Sequence, residues 1–488
     1  VNGAVLVIDV GTSGTRAAIV RDDSTVTHVE YRRTPPDSPF PGLVEFDPVA
    51  LASIVLDLAS SVLAQGGPVD SVGISTQRGS TVVWDRKTGV PIGPGLGWQD
   101  LRTIGECMTA RVEHGLVLAP NQSATKAAWL LAQHADQGDE LCFGTIDSWL
   151  VWNLTGRRDH VTDHTNAAIT GLVELDGAHW STSIVDALGL GRLTLPRLVE
   201  SSGVVGPASA LPGSPPIAGI TGDQQASLVG QGCVVPGRAK CTFGTGGMLD
   251  MVTASGPPAA AGRLEHGTFP IVAWSRNGSL AWGVESIMLT AGTCVDWLVD
   301  DLGLLSSAAE SDEVAASVPD SDGVVFVPAL IGLGTPHWDY GARGTLNGLT
   351  RGSTRAHVVR AVLEGIAHRG ADLLEAAEAD GGLVVPSLRV DGGMSQNRTF
   401  VQALADATGR PVEVAPYTEC TTLGAGYLAG LATGVWGGFD EIDAAWRPSR
   451  QVEPRDHESG IRRADRERWR AAVERSAAWI PSLSALDF

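Results

Sequence analysis

Paired cysteines are missing from this sequence. Its six cysteines (107, 142, 233, 241, 294 and 420) are scattered, with no CxxC pair and no Cys/His cluster. That excludes a disulfide framework and a structural zinc site, and it leads us to expect reduced thiols in a cytoplasmic enzyme. Basic charge is short as well. Lys+Arg number 35 against 55 Asp+Glu, a net charge of −20 that is spread along the chain rather than gathered in a tail. Such a surface repels phosphate backbones and anionic lipid, so neither nucleic acid nor a membrane is expected as a partner. No apolar run approaches the roughly 18 residues of a membrane span, and no basic stretch followed by an apolar one opens the chain. Low-complexity tracts are absent too, although glycine numbers 60. The glycines therefore belong to turns and close backbone approaches in an ordered fold. What is present is 488 residues, 43% of them hydrophobic and 18% charged, enough for several domains with a large core. A multidomain α/β enzyme is the class these numbers favour.

The chain opens with two apolar strands, AVLVID (4–9) and RAAIV (16–20), joined by GTSGT (11–15), and THVEYR (27–32) reads as a third. A Walker-type phosphate loop needs a helix directly after the glycines and the ending GK[ST], and a Rossmann turn also needs that helix. Here the glycine turn joins two strands, so it reads as a hairpin tip with outward-facing N–H groups. FDPVALASIVLDLASSVLAQGG (46–67) is the clearest helix, with Asp47 as N-cap, Pro48 at the first position and glycines at the end. Strands are expected at 69–75, 81–85, 141–147 and 214–223, and two helices between 101 and 135, the second being ATKAAWLLAQHA. The second half restarts with strand, glycine turn and strand in RAKCTFGTGGMLDMVT (238–253), which is what a duplicated two-lobed fold would show. Two unrelated hairpins are the alternative. A long helix (356–379), a strand ending in a glycine turn (388–393), a helix (395–409), a strand (412–416) and a helix of small residues (421–434) follow. Gly424, Gly426 and Gly430 in that last helix point to a second backbone packed close by, and 447–466 reads as polar and exposed.

Three glycine turns thus stand at strand ends: GTSGT (11–15), GTGG (244–247) and DGGM (391–394). Together they fit a site that wraps a nucleoside triphosphate, because backbone N–H groups and hydroxyls hold phosphates. Asp9, at a strand end, suits Mg²⁺ held through water, and Arg16 suits charge on a transferring phosphoryl group. In TGDQQ (221–225), Asp223 reads either as an ordinary N-cap or as a general base for an attacking hydroxyl.

Longer strings then carry a resemblance: GTSGTRA (11–17), STQRGSTVVWDRKTG (75–89), GWQDLRT (97–103), GTIDSWLVWNLTG (144–156), VTDHTNAA (161–168), GDQQASLVGQGC (222–233), FGTGG (243–247), GLGTPHWDYGARGTLNGLTRG (332–352), VDGGMSQN (390–397) and TECTTLGAGYLAGLATGVW (418–436). The chain resembles the FGGY family of carbohydrate kinases, and within it the glycerol-kinase branch. The resemblance implies an α/β chain with the two-lobed actin-like ATPase fold, duplicated ribonuclease-H-like domains around a central cleft. The N-terminal lobe, with the acceptor site and the first phosphate turn, would be 1–237, and the nucleotide-binding C-terminal lobe 238–488. It implies ATP and Mg²⁺, a small-molecule polyol or sugar as acceptor, and a homo-oligomer. Residue by residue, it makes Asp223 the catalytic base and Asp9 the metal-organising group. Thr12, Ser13 and Arg16 would face the phosphates, with Gly244 and Thr245 opposite them and Gly292 lining the nucleotide site. Gly393 and Asn397 would meet the adenosine. Arg78, Trp98, Asp223 and Gln224 would position the acceptor.

The acceptor residues also depart from the branch. Gly79 follows Arg78 where glycerol kinases carry Glu, Asn121 replaces a Tyr and Met248 a Phe, while Asp250 stands where an aliphatic residue is usual. On a strand, Met248 and Asp250 share a face. These departures lead us to expect an acceptor of four or five carbons, with Asp250 or Asn121 reading the extra hydroxyls; a solvent-facing Asp250 beside a merely slack pocket is the alternative. A ketopentose kinase of the xylulokinase kind and an actin-like ATPase without a small-molecule acceptor are the competing readings of the whole chain.

Overall fold

In the computed structural model, residues 3–134, 140–417, 420–455 and 459–486 are described. Ala135, the last residue of the expected ATKAAWLLAQHA helix, and Thr418 and Glu419 of the TECTTL segment lie outside them.

Two sheets organise the chain. The first is built from β1 (Ala4–Val10), β2 (Gly14–Arg21), β3 (Val26–Arg33), β4 (Ser71–Thr76), β5 (Ser202–Pro207) and β6 (Pro216–Gly222), in the order β5-β6-β4-β1-β2-β3. The second is built from β7 (Ala239–Phe243), β8 (Gly247–Val252), β9 (Phe269–Arg276), β10 (Ser279–Met288), β11 (Leu388–Asp391), β12 (Val412–Val414) and β13 (Arg450–Val452), in the order β9-β10-β8-β7-β11-β12-β13. In each sheet an antiparallel hairpin, β1–β2 or β7–β8, pairs in parallel with a later strand, β4 or β11. The run β3-β2-β1-β4-β6 therefore repeats as β10-β8-β7-β11-β12. Two unrelated hairpins would not give this repeat.

Helices fill three layers. α1 (Pro48–Gly66) and α2 (Ile146–Leu154) cover the outer face of the first sheet, where Leu51, Val55, Leu58 and Val62 pack on Leu6, Ile8 and Ile19. Each such side chain contributes roughly 1.5–3 kcal/mol on burial. Asp47 caps α1 as expected, its carboxylate accepting from the N–H groups of Val49 (2.8 Å) and Ala50 (3.1 Å). One expectation needs correction here. α1 is 19 residues long with a mean hydropathy of 1.6, so one helix does reach the length and apolarity of a membrane span. Its small alanines and serines raise the average, and its large side chains are spent on the sheet.

Between the sheets lie α3 (Asp223–Gly230) and α6 (Cys420–Thr433); α4 (Arg355–Gly381) and α5 (Arg398–Thr408) cover the outer face of the second sheet. The central layer joins Val5, Val7, Val20 and Ala218 of the first sheet to Val252, Ala273 and Trp274 of the second, through Leu228, Leu423 and Leu428. The small residues of α6 now have their reason. A Cβ on Gly424 would run into the carbonyl of Ala226 on α3, and one on Gly230 of α3 into that of Cys420. Although α6 lies in sequence between β12 and β13 of the second sheet, it lies across the first, with Ala425 and Ala429 against Gly73 and Gly219.

Three boundaries differ from expectation. The strand expected over 141–147 ends at Thr145, and α2 takes over at Ile146 with Asp147 in its first turn. Asp223 opens α3 rather than closing β6, and the N-cap is Gly222, so the N-cap reading of Asp223 does not hold. The 447–466 stretch contains β13 and the start of a helix, Ser459–Ser476, in which Arg466 is buried against Asp372 at 2.7 Å.

Candidate functional site

The first glycine turn closes tightly, with Gly11 N–H donating to Gly14 C=O at 3.0 Å. Thr12 is half-buried and Ser13 exposed at the tip. Asp9 and Arg16 are register partners across the hairpin, and their side chains meet at 3.3 Å. The Arg16 guanidinium also lies 5.6 Å from the Tyr31 ring centre.

The second turn is one residue tighter, Gly244 N–H donating to Gly246 C=O at 3.0 Å. A helix, Gly292–Asp300, begins against it: Gly292 N–H reaches Gly244 C=O at 2.9 Å and Ala291 N–H reaches Thr245 C=O at 2.8 Å. The third turn docks on the same strand end. Gly392 has φ +85°, and a Cβ there would run into the Phe243 carbonyl. Gly393 is exposed beyond it. Asn397 caps α5, accepting from Phe400 N–H at 2.8 Å and donating to Ser311 Oγ at 3.0 Å, so its amide is held at both ends. Gly244, Thr245, Gly292 and the 392–393 turn are thus gathered at one end of the second sheet.

Several of the residues expected around the acceptor come together where the start of α3 meets both sheets. Arg78, just beyond β4, reaches across to the second sheet: its Nη2 donates to Glu285 at 2.6 Å, and its Nε lies 3.5 Å from Asp223. Its Nη1 is buried without a partner. Burial pushes Asp223 above the usual carboxylate range, opposed chiefly by the Arg78 charge. The same two causes act on Glu285. Asp223 keeps 25% of its side chain open, against 8% for Arg78 and 6% for Glu285, so it is the reachable member of the group. Trp98 links this region to the first glycine turn, donating from Nε1 to Thr12 Oγ1 at 3.0 Å.

Gly79 is fixed by its neighbours. Its φ is +73°, and a Cβ would collide with the Asn121 carbonyl. Its own carbonyl accepts from Thr81 Oγ1 and Ser123 Oγ, each at 3.2 Å, and from Lys126 Nζ at 3.5 Å. Lys126 also donates to the Asn121 carbonyl at 3.2 Å. Asn121 is exposed and Met248 half-buried.

Asp250 is not solvent-facing. It is fully buried on β8, sharing a face with Met248, and pairs with Lys240 of β7 at 2.8 Å. It therefore has no surface of its own with which to read an acceptor hydroxyl, which corrects that expectation. Register places Lys240, Asp250 and Glu285 side by side on three neighbouring strands.

Sequence reasoning missed Glu285, Lys240 and Lys126. A signal was available. The chain holds only three lysines, at 87, 126 and 240, and the last two are fully buried. A lone charge inside an apolar strand, as in AKCTF or AWGVES, asks for a buried partner.

Comparison with known proteins agrees with the fold. The N-terminal domain model of the FGGY family of carbohydrate kinases matches residues 4–230, and the C-terminal domain model matches residues 239–433. A glycerol kinase of Gloeobacter violaceus is 42% identical over 492 residues, covering 98% of each chain. One of Aromatoleum aromaticum is 42% identical over 496 residues, 98% of this chain and 99% of that one. The crystal structure of Plasmodium falciparum glycerol kinase with ADP superposes with a TM-score of 0.89 at 28% identity, covering 97% of this chain and 98% of that one. A xylulose kinase of Lactobacillus acidophilus has a TM-score of 0.84 at 20% identity, over 96% of this chain and 97% of that one, a likeness of fold alone. Fold and matches define the class: ATP-dependent kinases acting on an alcohol. The chain belongs to the FGGY family of carbohydrate kinases, and its substrates are ATP and a small sugar or polyol.

Proposed function

We propose that the chain phosphorylates a terminal hydroxyl of a small polyol, with Asp223 as general base. One observation carries this reading: Asp223 is the open carboxylate of a buried charge group, with its proton affinity raised by burial and Arg78 alongside. The acceptor oxygen attacks the γ-phosphorus, its proton passes to Asp223, and the bond to the β–γ bridging oxygen breaks to release ADP. Arg78 Nε, 3.5 Å from Asp223, would steady the charge on the base, and Trp98 would form a wall. The turns at 11–14 and 244–246 would offer backbone N–H groups and hydroxyls to the phosphates. Asp9 would hold Mg²⁺ through water, and when bound the ion spreads the phosphate charge. A single carboxylate suits a cation that keeps most of its waters and takes phosphate oxygens. Among the described residues no three His, Cys, Asp or Glu side chains form an all-protein cage.

Gly79, Asn121 and Met248 support an acceptor of four or five carbons. The side chains that hold glycerol in the resembling branch are replaced there, and the Gly79 backbone leaves no room to restore one. Identity of 42% to full-length glycerol kinases supports a polyol over a ketopentose.

The test is acceptor-dependent ADP release with polyols and ketoses of three to six carbons. Best turnover on a four- or five-carbon polyol is the expected result. Best turnover on glycerol would remove the longer acceptor, and no acceptor-stimulated turnover would remove the proposal.

A further inference from the structure

Lys240 Nζ donates to Gln224 Oε1 at 2.7 Å and to Thr242 Oγ1 at 3.1 Å, and it forms an ion pair with Asp250 Oδ2 at 2.8 Å. An ammonium has no lone pair, so the group that Gln224 turns towards it must be the amide oxygen. Gln224 is half-buried and directly follows Asp223 at the start of α3, and Nε2 is the end of its amide that Lys240 does not hold. We propose that the buried Lys240–Asp250 pair is a positioning device that fixes the Gln224 amide, so that the acceptor site presents a hydrogen-bond donor beside Asp223. This rests on the reading that Gln224 touches the acceptor.

Asp250 is what keeps the device in its working form. Burial acts against the Lys240 charge, and the Asp250 carboxylate, followed by that of Asp391, more than offsets it. With Asp250 gone, the largest charge that offsets burial of Lys240 is lost, Asp391 remaining, and the neutral amine with its lone pair gains ground. A neutral amine accepts as well as donates, so Gln224 could turn over and offer its oxygen to the acceptor. Asp250 thereby influences acceptor choice without touching the acceptor, which is consistent with its complete burial. In a chain with three lysines, this one sits on a sheet face directly opposite its counter-charge, with Glu285 on the far side of Asp250.

The test uses the full chain and three variants: Asp250→Leu, Lys240→Met, and the two combined. Each single change leaves a buried charge without its partner, whereas the pair of changes replaces both by apolar side chains of similar size. We expect the double variant to recover a melting temperature near that of the wild type. We also expect its KM for the preferred polyol to stay raised about tenfold or more, with the KM for ATP within about twofold. A double variant with wild-type stability and an unchanged acceptor KM would overturn the proposal, as would equal rises in both KM values. Wild-type protein without acceptor-stimulated ADP release would instead remove the reading on which it rests.

Discussion

The proposed nucleotide end and the proposed acceptor end of this molecule are made of different materials. At the nucleotide end, the turns at 11–14, 244–246 and 392–393 are shaped by backbone bonds and by glycines that let main chains touch. At the acceptor end, Arg78, Asp223, Gln224, Lys240, Asp250 and Glu285 are side chains delivered from β4, α3, β7, β8 and β10, and their arrangement is set by charge. A backbone cradle has one shape for one ligand class. A charge cluster can be retuned by one substitution, so differences in acceptor among related kinases are most easily written there.

The largest effect tests that division directly. Asp223→Asn removes the proposed proton acceptor while keeping shape, and kcat should fall by about 10²–10⁴-fold with nucleotide binding intact by calorimetry. Loss of nucleotide binding in that variant would break the comparison. Next, two alanines should act on opposite ends. Gly79→Ala, at φ +73° against the Asn121 carbonyl, should raise acceptor KM about tenfold; Gly392→Ala, at φ +85° against the Phe243 carbonyl, should raise ATP KM by a similar factor. Steady-state titration of each substrate reads both. Trp98→Phe is smaller and blurs the boundary. It deletes the bond to Thr12 Oγ1, a net loss of about 0.5–1.5 kcal/mol, so both KM values should shift a few-fold.

The last prediction concerns a buried acid outside both ends. Burial, aided by the nearby Asp163, pushes Asp147 up to about 7. The folded chain therefore holds this proton more tightly than the unfolded chain. Its contribution to stability is whole below about pH 4 and is lost as pH rises through about 7. Asp147→Asn removes that loss, so its stability relative to wild type should improve between pH 5 and pH 8 by on the order of 1–3 kcal/mol. Both KM values should stay as they were. Thermal melts across pH, with kinetics at one pH, decide it.

The two ends were also unequally legible. Hairpin turns such as GTSGT are local, and a run of fourteen residues shows strand, turn and strand together. The restart at 238–253 was consistent with a duplicated architecture but too short to separate it from two unrelated hairpins, which strand order then did. The acceptor cluster is not local, because register sets it. Lys240 meets Asp250 only because β7 and β8 pair one way, and Glu285 arrives from β10, while Arg78 comes from the other sheet. Gly79 was legible as a departure but not as a constraint, since nothing in the sequence shows that the Asn121 carbonyl fills the space. Asp250 was placed on the correct face with Met248, yet its lysine partner, ten residues earlier, was not seen.

The crossing of α3 and α6 bears on how the gene could be cut. The strands of the first sheet all precede residue 238 and those of the second all follow it, which invites division there. In space no such seam exists. A fragment ending at 237 would lose the helix that covers Val5, Val7 and Ala218, and the remaining fragment would lose α3, whose Gln225 and Ser227 bond to Val272 and Asp391 of the second sheet. Each piece would expose a bare apolar face shaped for the other. The halves are thus obligate companions, and a split enzyme would regain activity only when both fragments are made together.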